Sequence, residues 1–224
     1  MRAKATGNDG RNSATREAIL TAAERLFAEH GVTAVSNRQV SEAAGQGNNT
    51  AVGYHFGAKS ELVRAIERHH LGPIERIRGR LVAETTDSAD LRDWVTALVR
   101  PLTEHLAEAG ETTWYARFAA QVMTDPAYYD IVVADALESP TLVRVIEGIN
   151  HCRSELPIQV HTERGLMARN LLVHTAAEFE RALANRAPYH WSDWDEAASG
   201  LIDAIVGLWL APVTPRPAVH RREK

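Results

Sequence analysis

The sequence predicts an all-α protein: a small N-terminal three-helix head built on a helix-turn-helix unit, followed by a larger helical C-terminal body. Three observations carry this. Apolar residues recur at three- and four-residue spacing through nearly all of the 224 residues, and no run alternates as a half-buried strand would. Two short helical patterns flank a glycine-bearing turn between Ser36 and His55. Gly72-Pro73 then interrupts the pattern, which reads as a hinge between head and body.

The elements follow in order. Residues 1–14 mix Gly, Asn, Ser and Thr with Arg2, Lys4 and Arg11, and read as a disordered arm. A basic arm of this kind either enters a minor groove or serves as a plain solubilising tail. The head is expected over 15–72. In its first helix Ile19, Ala23, Leu26, Phe27 and His30 form one stripe. Ser36 with Gln39 is a capping-box pair that starts a helix at Asn37, and Gly45 stands where a left-handed cap would end it. Asn48 is expected to cap the second short helix, through Tyr54. A third helix spans Lys59 to His70, with Leu62 and Ile66 inward. The body is expected over 73–212, with helices at about 74–85, 90–108, 112–124, 127–138, 140–155, 159–187 and 192–211, separated by Gly, Pro, Asp and Ser signals. Pro212, Pro215 and Pro217 end the last helix and lead into a disordered tail, 213–224.

A helix-turn-helix presents its second helix to the DNA major groove. Candidate DNA-contacting residues are Ser36, Arg38, Asn48, Asn49, Thr50, Gly53, Tyr54, His55 and Lys59. Asn can bridge the N6 and N7 edge of adenine, Thr can meet a base or a phosphate, and Lys59 beside the groove helix is expected on phosphate. The chain carries −4 overall, which alone argues against nucleic acid. Its distribution argues the other way: nine Lys+Arg against seven Asp+Glu through His70 give +2, leaving −6 for the rest.

From Thr15 to about His70 the chain resembles the DNA-binding domain of the TetR family of bacterial transcriptional repressors. The resemblance rests on Phe27-Ala28-Glu29-His30-Gly31, Ser36, Ala44-Gly45, Tyr54-His55-Phe56, Lys59 and Leu62, in that order. Two features depart from the family pattern. One extra residue falls around Gln46-Gly47, and Gly53 stands where the family often has an aromatic residue touching the DNA backbone. The resemblance implies a dimeric regulator, most often a repressor, whose helical body takes a small molecule and releases operator DNA. The alternative is a helical ligand-binding or interaction protein whose head has lost DNA binding, which a mobility-shift assay on its own promoter separates.

The body offers candidates for both further roles. Met167, Leu171 and His174 share a face of the long penultimate helix, and Gly200, Ala204 and Gly207 make a smooth stripe on the last one. Paired with a second copy they would form a four-helix bundle, where the resembled family dimerises; a purely internal core would show the same pattern. For the ligand the candidates are Trp94, Leu98, His105, Trp114, Arg117, Phe118 and Gln121, an apolar set with a few directed polar groups beside Pro101. Aromatic stripes at helical spacing also build ordinary cores.

Enzyme chemistry is not expected. There is no phosphate-cradling glycine loop after a strand, no Gly-x-Ser-x-Gly elbow and no run with metal-ligand spacing, so neither cofactor nor metal is expected. Cys152 is the only cysteine, which excludes an intramolecular disulfide and fits a reducing cytoplasm. No apolar segment approaches the roughly 20 residues that span a bilayer, and the polar start lacks the apolar core of a secretory signal.

Overall fold

The computed structural model describes residues 5–48, 50–110 and 113–214, and among them the chain is ten helices with no strand. The head is α1 (Ala5–His30), α2 (Asn37–Ala43), α3 (Ala51–Phe56) and the first turns of α4 (Lys59–Thr85). The body adds α5 (Leu91–Ala109), α6 (Tyr115–Thr124), α7 (Tyr129–Leu137), α8 (Pro140–Cys152), α9 (Ile158–Ala184) and α10 (Trp194–Leu210). Side chains set several of the starts: Asp90 accepts from Arg92 N, Ser139 from Leu142 N ahead of Pro140, and Asp193 from Asp195 N and Glu196 N.

Three expectations are corrected. Residues 5–14 belong to α1 rather than to a disordered arm. Elongating a helix already nucleated by the buried Ile19, Leu20, Ala23 and Phe27 costs far less than starting one, so a weak stretch continues it. Residues 1–4 of the arm and 215–224 of the tail lie outside the described residues. Gly72-Pro73 does not break the chain: α4 runs unbroken with Pro73 inside it. Pro73 forfeits one backbone hydrogen bond, yet Ile66 before it and Ile74 and Ile77 after it are all buried, and that burial keeps the helix whole. Finally, α3 starts at Ala51 instead of after Asn48. The Asn48 carboxamide oxygen accepts from Thr50 N at 3.0 Å and Thr50 Oγ1 at 2.7 Å, a local turn that delays the helix by two residues.

Two cores hold the helices. The first joins α1 to α4 with Leu106, Phe118, Val122, Phe179, Trp194 and Ala197, so the head's interior is continuous with part of the body. The second gathers Trp94, Val95, Val99, Val145, Ile149, Leu201, Ile205 and Trp209 from α5, α8 and α10, with Leu172 of α9. Helix α6 packs between α1 and α9, and α5 packs between α4 and α10.

Candidate nucleic-acid interface

The helix-turn-helix is built by local chemistry. Ser36 Oγ accepts from Gln39 N at 3.2 Å while Gln39 Oε1 accepts from Ser36 N at 2.8 Å, a reciprocal capping box. At the other end of α2, Gly45 lies at φ +68, its N–H bonds Glu42 O and the N–H of Gln46 bonds Ser41 O. That is a Schellman motif, and it turns the chain sharply without leaving the last carbonyls bare.

Helix α3 buries Ala51, Val52 and Phe56 and leaves Gly53 and Tyr54 outward, with Tyr54 80% exposed and His55 half-buried. Tyr54 and His55 meet edge to face at 5.0 Å between centroids. A Cβ added at Gly53 would meet nothing within 4 Å, so no neighbour within the protein demands a glycine there. Thr50 and Asn48 sit exposed at the entry to this face, and Asn49 lies outside the described residues. Arg38 is exposed on α2 with its guanidinium Nε 2.8 Å from Glu42 Oε1, a pair that a phosphate would have to displace.

Lys59 is the clear departure from expectation. Its Nζ donates to Val32 O at 3.1 Å and to Val35 O at 2.5 Å, and its partial burial lowers its pKa from the usual lysine value, opposed by Asp125. The ammonium thus ties α4 to the loop after α1 instead of reaching for phosphate. Lys59→Ala is therefore expected to destabilise the head by about 1.5–3 kcal/mol, the scale of hydrogen bonds to a charged group, and to leave the salt slope of DNA binding nearly unchanged. A salt titration with a slope shallower by about one charge would restore the phosphate role.

The seven candidate ligand residues do not line one cavity. Trp94 donates from Nε1 to Ser88 O at 3.0 Å and packs so tightly on α8 that a Cβ at Gly148 would fall 2.2 Å from its indole. Leu98 packs against the second core. Phe118 is 0% exposed and stacks on Phe27 at 6.3 Å. Gln121 lies beside Gly31 of the head, and Trp114 lines an open groove of about 550 Å³ with Ala18, Ala22, Ala43 and Ala44. Arg117 is committed to Glu180: Nε donates to Oε2 at 2.9 Å, while the same carboxylate accepts from Ala116 N at 3.1 Å and Arg117 N at 3.0 Å. His105 Nε2 lies 2.8 Å from His70 Nδ1. The aromatic stripes face the core because a helix buries its apolar side first.

The sequence pattern did not single out the carboxylates Glu180, Glu67 and Glu24, nor their grouping with His70 and Tyr115. A charged residue inside an apolar stripe was the available signal, as at Glu180 behind Ala176 and Ala177 and Glu67 behind Val63 and Ile66. Of the dimer candidates, Met167 and Leu171 are exposed at 53% and 36% and His174 is half-buried. Ala204 and Gly207 are exposed, whereas Gly200 sits under Trp191, whose ring would be 3.1 Å from an added Cβ. Gly200 therefore serves contact within the chain. Among the described residues no cluster of His, Cys, Asp and Glu could hold a metal, and no helix is long and apolar enough to cross a membrane.

Comparison with known proteins agrees with the head's geometry. The profile of bacterial regulatory proteins of the tetR family matches residues 19–66, which span the helix-turn-helix from α1 into α4. The HTH-type transcriptional repressor AcnR of Corynebacterium glutamicum is 27% identical over 173 residues, covering 70% of this chain and 79% of that protein. AcnR of Corynebacterium efficiens is 33% identical over 102 residues, 41% of this chain and half of that protein. In fold, a tetR family transcription regulator from Shewanella sp. PV-4 superimposes with a TM-score of 0.56 at 18% identity, covering 87% of this chain and 95% of that one. The profile falls on the capped helix, the Schellman turn and the exposed α3, so residues 19–66 form a DNA-binding head of the tetR type, and the chain is similar to TetR-family transcription regulators.

Proposed function

We propose that this regulator is a repressor that grips operator DNA as a homodimer and lets go when a small molecule binds in the helical body. The observation that carries the reading is the position of α6. On one side it meets the head, through Phe118 on Phe27 and through Thr33 Oγ1, which donates to Asp125 Oδ2 at 2.7 Å just past its end. On the other side Glu180 of α9 holds its first turn. A change in the body that moves α6 therefore moves α1, and with it the spacing of two paired heads. Those heads must sit about 34–36 Å apart, one turn of DNA, to enter successive grooves. A ligand shifts this balance only by its difference in affinity for the two arrangements. Support for repression comes from the name of the AcnR relatives.

A single α3 offers few contacts, and pairing doubles them. Met167 and Leu171 on α9 and Ala204 and Gly207 on α10 are exposed apolar or small residues, and it is there that we place the partner. A Cβ added at Gly207 meets nothing within 4 Å, so the main steric effect of Gly207→Leu is expected on that partner, at about 1–3 kcal/mol for overpacking. The expected result is a melting temperature close to that of the unmodified protein, a shift toward monomer in sedimentation, and loss of operator binding with it. Selection of duplexes from random sequence tests the reading as a whole: recovery of a two-fold symmetric site supports it, and retention of no duplex removes it.

A further inference from the structure

Where α1, α4, α5 and α6 meet, the interior holds polar groups that DNA contact does not use. Glu67 of α4 is 4% exposed; Tyr115 of α6 donates its hydroxyl to Oε2 at 3.1 Å, and Oε1 has no hydrogen-bond partner. The Tyr115 ring stacks on His70 with centroids 3.9 Å apart. His70 in turn faces Glu24 Oε2 of α1 through Nε2 at 2.9 Å and His105 Nε2 of α5 through Nδ1 at 2.8 Å. One polar chain thus joins a helix of the head to three helices that continue into or belong to the body.

We propose that Glu67 is a positioning residue for operator binding, neutral when head and body are held together and ionised when that contact loosens, so that DNA affinity is linked to one proton. This rests on the DNA-binding reading but concerns the junction, which touches no DNA. A buried carboxylate oxygen without a donor is tolerable when neutral and costly when charged. Burial accordingly pushes Glu67 up to about 7, against the Tyr115 hydrogen bond and His70, which favour the charged form, and with Asp135 of α7 and Glu24 of α1 opposing it. Two of the neighbouring groups, His105 and Tyr115, are moved out of that window. His105 is held down to about 4 by burial and then by His70 and His69, with Arg76 also lowering it and Glu24 raising it. Burial and Glu67 keep the Tyr115 phenol far above its ordinary value, while Arg78 opposes them. The sign follows from a raised carboxyl: its contribution to the folded arrangement is complete below the ordinary value of 4.5 and is lost as pH rises through about 7.

The test uses the full chain and an operator recovered by selection, with binding measured by fluorescence anisotropy from pH 5.5 to about 8.5 at fixed ionic strength. The unmodified protein is expected to lose affinity several-fold across neutrality, with a limit of roughly tenfold per pH unit for one proton. Exposed groups near DNA titrate in every variant, so the readout is the difference between proteins. Glu67→Gln should bind as the unmodified protein does at the acid end and exceed it at the alkaline end. Tyr115→Phe removes the donor that favours the charged carboxylate and should move the midpoint to higher pH, a shift that loss of packing alone would not produce. Infrared titration of the unmodified protein should show one carboxylic acid band lost near pH 7. Superimposable profiles for the unmodified protein and Glu67→Gln, an unmoved midpoint in Tyr115→Phe, or no such band at pH 6 would each overturn the proposal. Absence of an operator at every pH would instead overturn the DNA-binding reading, leaving the infrared titration to decide on Glu67.

Discussion

Replacing Glu180 with alanine is expected to cost about 3–5 kcal/mol, the scale of removing one partner from a buried ion pair. Its side chain is 1% exposed and that of Arg117 is 11% exposed, so the arginine would be left charged in the interior with its partner gone. Two more donors lose their acceptor at once, the amides of Ala116 and Arg117 at the start of α6. For a domain of this size each kcal/mol moves the melting temperature by about 2–4 °C, so a fall of roughly 6–20 °C is expected. Glu180→Gln keeps acceptor oxygen for the amides and should recover part of that loss. A melt of Glu180→Ala within 2 °C of the unmodified protein would mean that the pair is not desolvated as described.

Phe118→Ala is expected to be comparably damaging, at about 3–5 kcal/mol, because truncating a fully buried phenylalanine removes its burial and leaves a hole. The ring is 0% exposed between Phe27 and Tyr115. A ligand-lining phenylalanine would behave otherwise, changing the response to an inducer while leaving the melt almost in place. Thermal melts of this one variant therefore separate the two roles, and a near-neutral result would return Phe118 to a ligand site.

What the sequence revealed was local. The capping box at Ser36, the terminating Gly45 and the helices beyond Leu91 follow from signals within a few residues of each other, and these were readable. What it concealed was the partner across space. Pro73 reads as a break because its missing donor is visible in sequence, whereas the burial of Ile74 and Ile77 that outweighs it is not. Lys59 reads as a phosphate contact because the carbonyls of Val32 and Val35 that occupy it belong to a distant turn. Arg117 reads as a candidate ligand residue for the same reason: Glu180, which holds it, lies 63 positions away. The aromatic stripes gave direction toward a core but no means of telling which core each helix faces.

The unbroken α4 has a mechanical consequence. Its 27 residues make a rod roughly 40 Å long, anchored in the head by the Lys59 ammonium and running far into the body. A tilt of about 5° at one end would sweep the other through roughly 3.5 Å over that length. In the mechanism proposed above, slight rearrangement in the body would thereby be geared up before it reaches the head. The rod also has one compliant joint, at the hydrogen bond Pro73 cannot make, so the gearing can be adjusted by stiffening that one position.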